Sequence, residues 1–169
     1  MKNHEEPEAV DLLMEVESLD RLLDFTNESN FERVCNYLLS CTPYAADTEE
    51  MKNALTTALR IYMKHNKYPQ AMRVAQKLNS MDLIREVMDS CKDKVTLKQI
   101  AFMLGRQRTP YETTDEELYR IISNEKLSEH FKGLARDLDV LEPKHPDQIF
   151  KTHLEERKNT VNQHIDSAK

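Results

Sequence analysis

Apolar residues recur at helical spacing almost from one end of the chain to the other, and proline and glycine fall between the apolar runs. The pattern predicts an all-α fold of about eight or nine short helices. Residues 7–25 read as one helix with Val10, Leu13, Val16, Leu19, Leu22 and Leu23 on a single stripe. Asn27 or Ser29 can cap a second helix carrying Phe31, Val34, Cys35 and Leu38, which Pro43 closes. A third runs over residues 48–65 through Met51, Ala54, Leu55, Ala58, Leu59 and Tyr62. The polar turn His65, Asn66, Lys67 leads to a helix with Pro69 in its first turn and Met72, Ala75 and Leu78 inside.

Ser80 can cap the next helix, with its stripe of Leu83, Ile84, Val87 and Met88. Asp93 can cap the one after, where Leu97, Ile100, Ala101 and Leu104 face inward and Gly105 stands as a C′ residue free to take positive φ. Residues 106–114 carry charges and Pro110 without a period, and read as a loop. Helices follow over residues 115–122 and 126–138, the second with Leu127, Phe131, Leu134 and Leu138 inward. Beyond Pro143 and Pro146 a brief helix carries Ile149, Phe150 and Leu154.

Turns of a few residues make sequential helices antiparallel, so the expected architecture is a stack of helical hairpins, α-solenoid-like, over residues 1–154. Residues 155–169 read as a polar tail or linker. Leu59, Tyr62, Tyr68 and Ala71 have spacings like those of a tetratricopeptide hairpin. Leu59 replaces the glycine of that repeat and no second copy recurs at about 34 residues, which favours a generic close-packed hairpin over a repeat array.

Composition narrows the function. The 169 residues hold 24 Lys and Arg against 30 Asp and Glu, a formal charge of −6, with a mean hydropathy of −0.71. Excess acid argues against a nucleic-acid footprint. Lys92, Lys94 and Lys98, the densest basic cluster, are interrupted by Asp93 and read as a solvated helix face. No apolar run is long enough to cross a membrane. With only Gly105 and Gly133, neither a phosphate-binding P-loop nor a dinucleotide fingerprint can be built.

No catalytic, cofactor-binding or metal-binding set assembles. Cys35 and Cys41 are six apart and Cys91 lies on another helix, too scattered for structural zinc. They read as small buried hydrophobes rather than ligands or nucleophiles. Their odd number, with no signal peptide at the start, points to a reducing compartment, cytoplasm or nucleus. His145, Asp147 and His153 flank Phe150, yet nothing fixes their geometry as a site. Glu49 and Glu50, and Asp115, Glu116 and Glu117, fall at helix starts where carboxylates complement the dipole. Met51, Met72, Met88 and Met103 fall on or beside apolar stripes as core fillers.

Several stretches resemble a known family. Leu12-Leu13-Met14-Glu15-Val16-Glu17 with Leu19-Asp20, then Val34-Cys35, Tyr37-Leu38, Ser40-Cys41 and Ser90-Cys91-Lys92-Asp93 are similar to the large non-ATPase scaffold subunit in the base of the proteasome regulatory particle. Gln99-Ile100-Ala101-Phe102-Met103-Leu104-Gly105-Arg106 is the most specific match. Leu134-Ala135-Arg136-Asp137-Leu138-Asp139, Glu142-Pro143-Lys144, Lys151-Thr152-His153-Leu154-Glu155 and Asp166-Ser167-Ala168 continue it in order. Residues 106–117 and Gln163-His164-Ile165 depart from the pattern.

The resemblance implies the helical region that precedes a ring of proteasome/cyclosome repeats. It implies a non-catalytic scaffold without cofactor, whose partners are the base ATPases and other regulatory-particle proteins. Ubiquitin, ubiquitin-like shuttle proteins and a deubiquitinase would be received by the repeat ring, whose glycine-rich hairpins these residues lack. No binding residue is carried over. The alternative is a free-standing helical adaptor that takes a partner peptide or helix in a hairpin groove.

Overall fold

The computed structural model describes residues 6–142, which are helical with no strand among them. The helices are α1 (Glu6–Glu15), α2 (Leu22–Phe25), α3 (Phe31–Cys41), α4 (Thr48–Lys64), α5 (Tyr68–Leu78), α6 (Met81–Ser90), α7 (Lys94–Gln107), α8 (Glu116–Ile122) and α9 (Leu127–Asp137). Short 3-10 turns at Leu19–Arg21 and Thr42–Tyr44 lead into α2 and follow α3. The described residues divide into two compact units, one ending at His130 and one beginning at Phe131, within α9. The brief helix expected around Ile149, the polar tail, His145, Asp147 and His153 lie outside the described residues.

In the first unit α4 and α5 form the central hairpin. Helix α4 also packs on α2 and α3, α5 on α6 and α7, α7 on α8, and α1 on α3. The core comes from the expected stripes: Val10, Leu22, Val34, Leu38, Leu55, Leu59, Met72, Ile84, Val87, Ile100 and Leu104 are all fully or almost fully buried. Of the hairpin residues, Leu59, Tyr62 and Ala71 are buried and Tyr68 half-buried. Small Ala58, Ala71 and Ala75 lie among them, and such short side chains let the two backbones approach.

Polar ties join neighbouring helices. Arg33 donates to buried Glu6 at 2.9 Å and the Tyr37 hydroxyl to Asp11 at 2.8 Å, fastening α3 to α1. Lys64 places its ammonium on the carbonyls of Leu23 and Thr26 at the end of α2, where the helix dipole favours a cation. The Gln76 amide reaches the Met103 carbonyl at 3.3 Å, between α5 and α7. At the α4–α5 corner Phe31 stacks on His65 with ring centroids 4.4 Å apart.

Two helix starts follow the expected caps: Ser80 accepts from the Leu83 amide and Asp93 from that of Thr96. Two further caps were not expected: Asp47 accepts from the Glu49 and Glu50 amides, and Asp115, read only as complementing the helix dipole, accepts from Glu117 and Leu118. The cap expected for α3 at Asn27 or Ser29 is displaced: the N-cap is Asn30, which makes no capping side-chain bond, and Asn27 instead exchanges backbone-to-side-chain hydrogen bonds with Asn30 in the turn before it. Pro69 occupies the first turn of α5.

Helix ends differ from expectation. The single helix over residues 7–25 is broken: Glu17 takes a left-handed φ of 52°, the Ser18 amide bonds back to the Leu13 carbonyl, and that of Glu17 bonds to Met14. This pair of bonds is a Schellman closure, and it leaves Val16 54% exposed instead of on the core stripe. The same closure, again on a non-glycine residue, ends α4 at Asn66, α5 at Asn79, α7 at Arg108, α8 at Asn124 and α9 at Asp139.

Gly105 is therefore not a terminator. Helix α7 runs on to Gln107, into the expected loop, and Gly105 has no positive φ. It is buried because α8 crosses it: a Cβ there would meet the Ile122 carbonyl oxygen at 2.9 Å and that of Ile121 at 3.0 Å. The stripe expected of the next helix also fails in part. On α9 only Leu134 is buried, while Leu127 and Phe131 are 46% and 62% exposed.

Candidate interaction surface

Where α1 breaks, the chain turns through residues 16–18 into the Leu19–Arg21 turn, and that turn packs against α4. Between this bend and the first turns of α4 lies a cavity of ≈ 660 Å³. Its walls carry Glu15, Glu17 and Asp20 on one side and Asp47, Glu49 and Glu50 on the other, with Arg60 the one cation among the lining residues. Met14, Leu19 and Leu23 contribute apolar surface, and Asn53, Thr56 and Thr57 line the α4 wall.

The six carboxylates have different occupations. Asp47 is committed to capping α4, with its Oδ1 2.9 Å and 2.8 Å from the Glu49 and Glu50 amides. Glu50 turns back to accept from the Ala46 amide at 2.7 Å, completing a capping arrangement across the first turn. Glu15, Glu17, Asp20 and Glu49 are exposed and take no ion pair or hydrogen bond from the described residues. Thr57 is a buried polar residue on the α4 wall. Six carboxylates gathered around a single Arg60 give an excess of negative charge whose potential the cleft walls focus.

Among the described residues no group of three or more His, Cys, Asp or Glu side chains is placed to hold a metal ion. The cleft carboxylates are spread over two walls rather than converging.

The other singled-out residues have ordinary surroundings. Cys35 is fully buried with its thiol 3.8 Å from the Ala58 carbonyl; burial pushes its pKa up to about 12, with a smaller opposing contribution from Tyr62. Burial also raises Cys91, while Cys41 is partly exposed. Met72 and Met88 are core, and Met51 and Met103 pack partly buried against it. Lys92 and Lys94 are exposed, and Lys98 pairs with Glu117 at 3.0 Å. Asp115 caps α8 and Glu116 pairs with Arg120 at 2.5 Å. No described helix is long and apolar enough to cross a membrane.

Sequence reading took the acidic residues one helix end at a time and missed the cleft. The only signal was the run Glu15, Glu17, Asp20 around a bend that the apolar stripe concealed.

Stacked amphipathic hairpins tied by helix-to-helix hydrogen bonds place the chain among the α-solenoid-like helical proteins. Within that class it belongs to the RPN1 N-terminal domain family, whose profile matches residues 1–155. It is 40% identical over 169 residues to "26S proteasome regulatory subunit RPN1" of Candida glabrata, covering 99% of this chain and 17% of that protein. It is 41% identical over 157 residues to "26S proteasome non-ATPase regulatory subunit 2" of Dictyostelium discoideum, covering 92% and 18%. A homologue of that subunit in Arabidopsis thaliana, homolog B, is 40% identical over 178 residues, covering 100% and 20%. The chain thus spans about one-fifth of the length of these curated relatives. The matches agree with the resemblance carried by residues 12–20 and 99–106.

Proposed function

We propose that the chain is a non-catalytic scaffold segment of the base of the proteasome regulatory particle. In this reading it positions the base ATPases and other regulatory-particle proteins, and so contributes to regulation of ubiquitin-dependent protein breakdown in cytoplasm and nucleus. The observation that carries the reading is the family match across residues 1–155, supported by relatives named as proteasome regulatory subunits. The physics is compatible: a scaffold needs stiff packed helices, and here cross-helix ties such as Arg33 to Glu6 and Gln76 to Met103 supplement the core. Ubiquitin, shuttle proteins and a deubiquitinase are assigned to a repeat ring, not to these helices.

The test is affinity purification of the endogenous protein carrying this chain, followed by mass spectrometry. Recovery of proteasome ATPase subunits at near-equal stoichiometry is expected. Purification without them overturns the reading.

A further inference from the structure

We propose that the cleft between the α1–α2 bend and the start of α4 docks a Lys/Arg-rich amphipathic segment of a partner protein. The inference goes beyond the scaffold reading and does not require that the partner be a proteasome subunit.

Charge complementarity selects the occupant. Six carboxylates and a single Arg60 line the cavity, and Glu15, Glu17, Asp20 and Glu49 have no cation among the described residues. Their mutual repulsion is relieved by cationic groups brought from outside. A single divalent ion cannot do this, because no three of the carboxylates are placed to share one. Polyanions are repelled. What fits is a set of ammonium or guanidinium groups spaced along a chain, reaching both walls.

A further observation asks for an amphipathic occupant rather than a simple polycation. The cavity includes apolar surface from Met14, Leu19 and Leu23, and beside it Leu12 on α1 and Val16 at the start of the bend are more than half exposed. At ≈ 660 Å³ the space takes several side chains of such a segment.

The probe is a fluorescein-labelled synthetic peptide of leucine and lysine, with leucines at helical spacing, titrated into the full chain at low salt. Anisotropy is the readout. Binding is expected, weakening steeply as salt screens the carboxylates. The triple variant Glu15→Gln, Glu17→Gln, Asp20→Asn should weaken it by about tenfold. An equally charged control, Glu28→Gln, Glu125→Gln, Glu142→Gln, should change it less than about twofold. All six positions are exposed, so folding should survive, and thermal melts verify this. Backbone amide shifts in the peptide-bound protein should concentrate at residues 14–23 and 46–60. Absence of binding, equal losses in the two triple variants, shifts centred elsewhere, or equal affinity for spermine or for a peptide with glutamate in place of lysine would each overturn the proposal.

Discussion

The side-chain amide of Asn124 donates to the backbone carbonyl of Gly105 at 3.0 Å, and the two residues hold α8 on α7 from opposite directions. Asn124 closes α8 in the left-handed region, with φ of 60°, and that closure aims its side chain back at α7. Gly105 lets the end of α8 come close enough to be reached, because the Ile121 and Ile122 carbonyls occupy the space where a Cβ would stand. A residue that stops one helix thus satisfies the backbone of another, and the contact needs glycine for its missing side chain.

Gly105→Ala is therefore expected to destabilise the first unit. The new methyl group meets backbone oxygens, which cannot rotate aside, so overpacking of about 1–3 kcal/mol outweighs a helix-propensity gain of about 1 kcal/mol. Gly133→Ala should do the opposite. A Cβ at Gly133, inside α9, meets nothing within 4 Å, so the propensity term of about 0.5–1 kcal/mol stands alone as a gain. Urea denaturation of both variants checks the pair; the same sign for both would refute the packing role of Gly105.

Leu104, next to that glycine, is fully buried in the core of α7. Leu104→Ala should cost about 2–5 kcal/mol through lost transfer energy and the cavity left behind. Leu12→Ala, at a position 60% exposed on α1, should stay within about 0.5 kcal/mol of the parent. Thermal melts that ranked these two alike would contradict the assignment of the buried stripe.

Helix starts were legible in the sequence and helix stops were not, for a physical reason. A start needs a side-chain acceptor at one position; Ser80 and Asp93 advertise it, and Asp47 and Asp115 supply the same acceptor at starts whose caps the sequence reading did not name. A stop needs only a left-handed φ, which Asn tolerates and which Glu17, Arg108 and Asp139 adopt at some local cost once the neighbouring helices fix the chain's direction. With two glycines to read from, the rule assigned a stop to Gly105, whose real constraint is the approach of α8. The break at Glu17 was hidden because Val16 and Leu19 continued the apolar period. The cleft was illegible for the same reason: it joins residues 15–20 to residues 46–60, and only the packing of the bend on α4 brings them together.

The three thiols should separate by burial. Cys41 is partly exposed and Cys35 and Cys91 are buried, so a disulfide-exchange reagent at mildly alkaline pH should titrate about one thiol per native chain and all three on denaturation. Alkali should also lower stability. Cys35 is raised from its ordinary 9.0 to about 12, and Tyr62 from 10.0 to about 12, by burial first. A folded-state pKa above the unfolded value means that the native state holds its proton longer. The stabilisation is complete below pH 9 and is lost as pH rises toward 12. Cys35→Ala should flatten that loss in pH-dependent melts, whatever its effect at neutral pH; an unchanged alkaline slope would exclude Cys35 as a contributor.

Asp93 contributes to the opposite limb. Its Oδ2 accepts from the Thr96 hydroxyl at 2.6 Å and the Thr96 amide at 2.9 Å, and these bonds hold its carboxyl below the ordinary 3.8. A depressed folded-state pKa contributes stability above the unfolded value and loses it as pH falls through the folded one. Asp93→Asn keeps an oxygen acceptor at the N-cap of α7 but has nothing to protonate, so it should melt close to the parent at neutral pH with a shallower decline toward pH 2. Asp93→Ala removes the acceptor and should lower the melting point at neutral pH as well, bringing parent and variant together in acid where the parent carboxylate is itself neutralised. Melts of the three proteins from pH 7 to pH 2 separate the hydrogen bond from the charge; if the Asn variant declined in acid as steeply as the parent, the acid sensitivity would belong to other carboxylates.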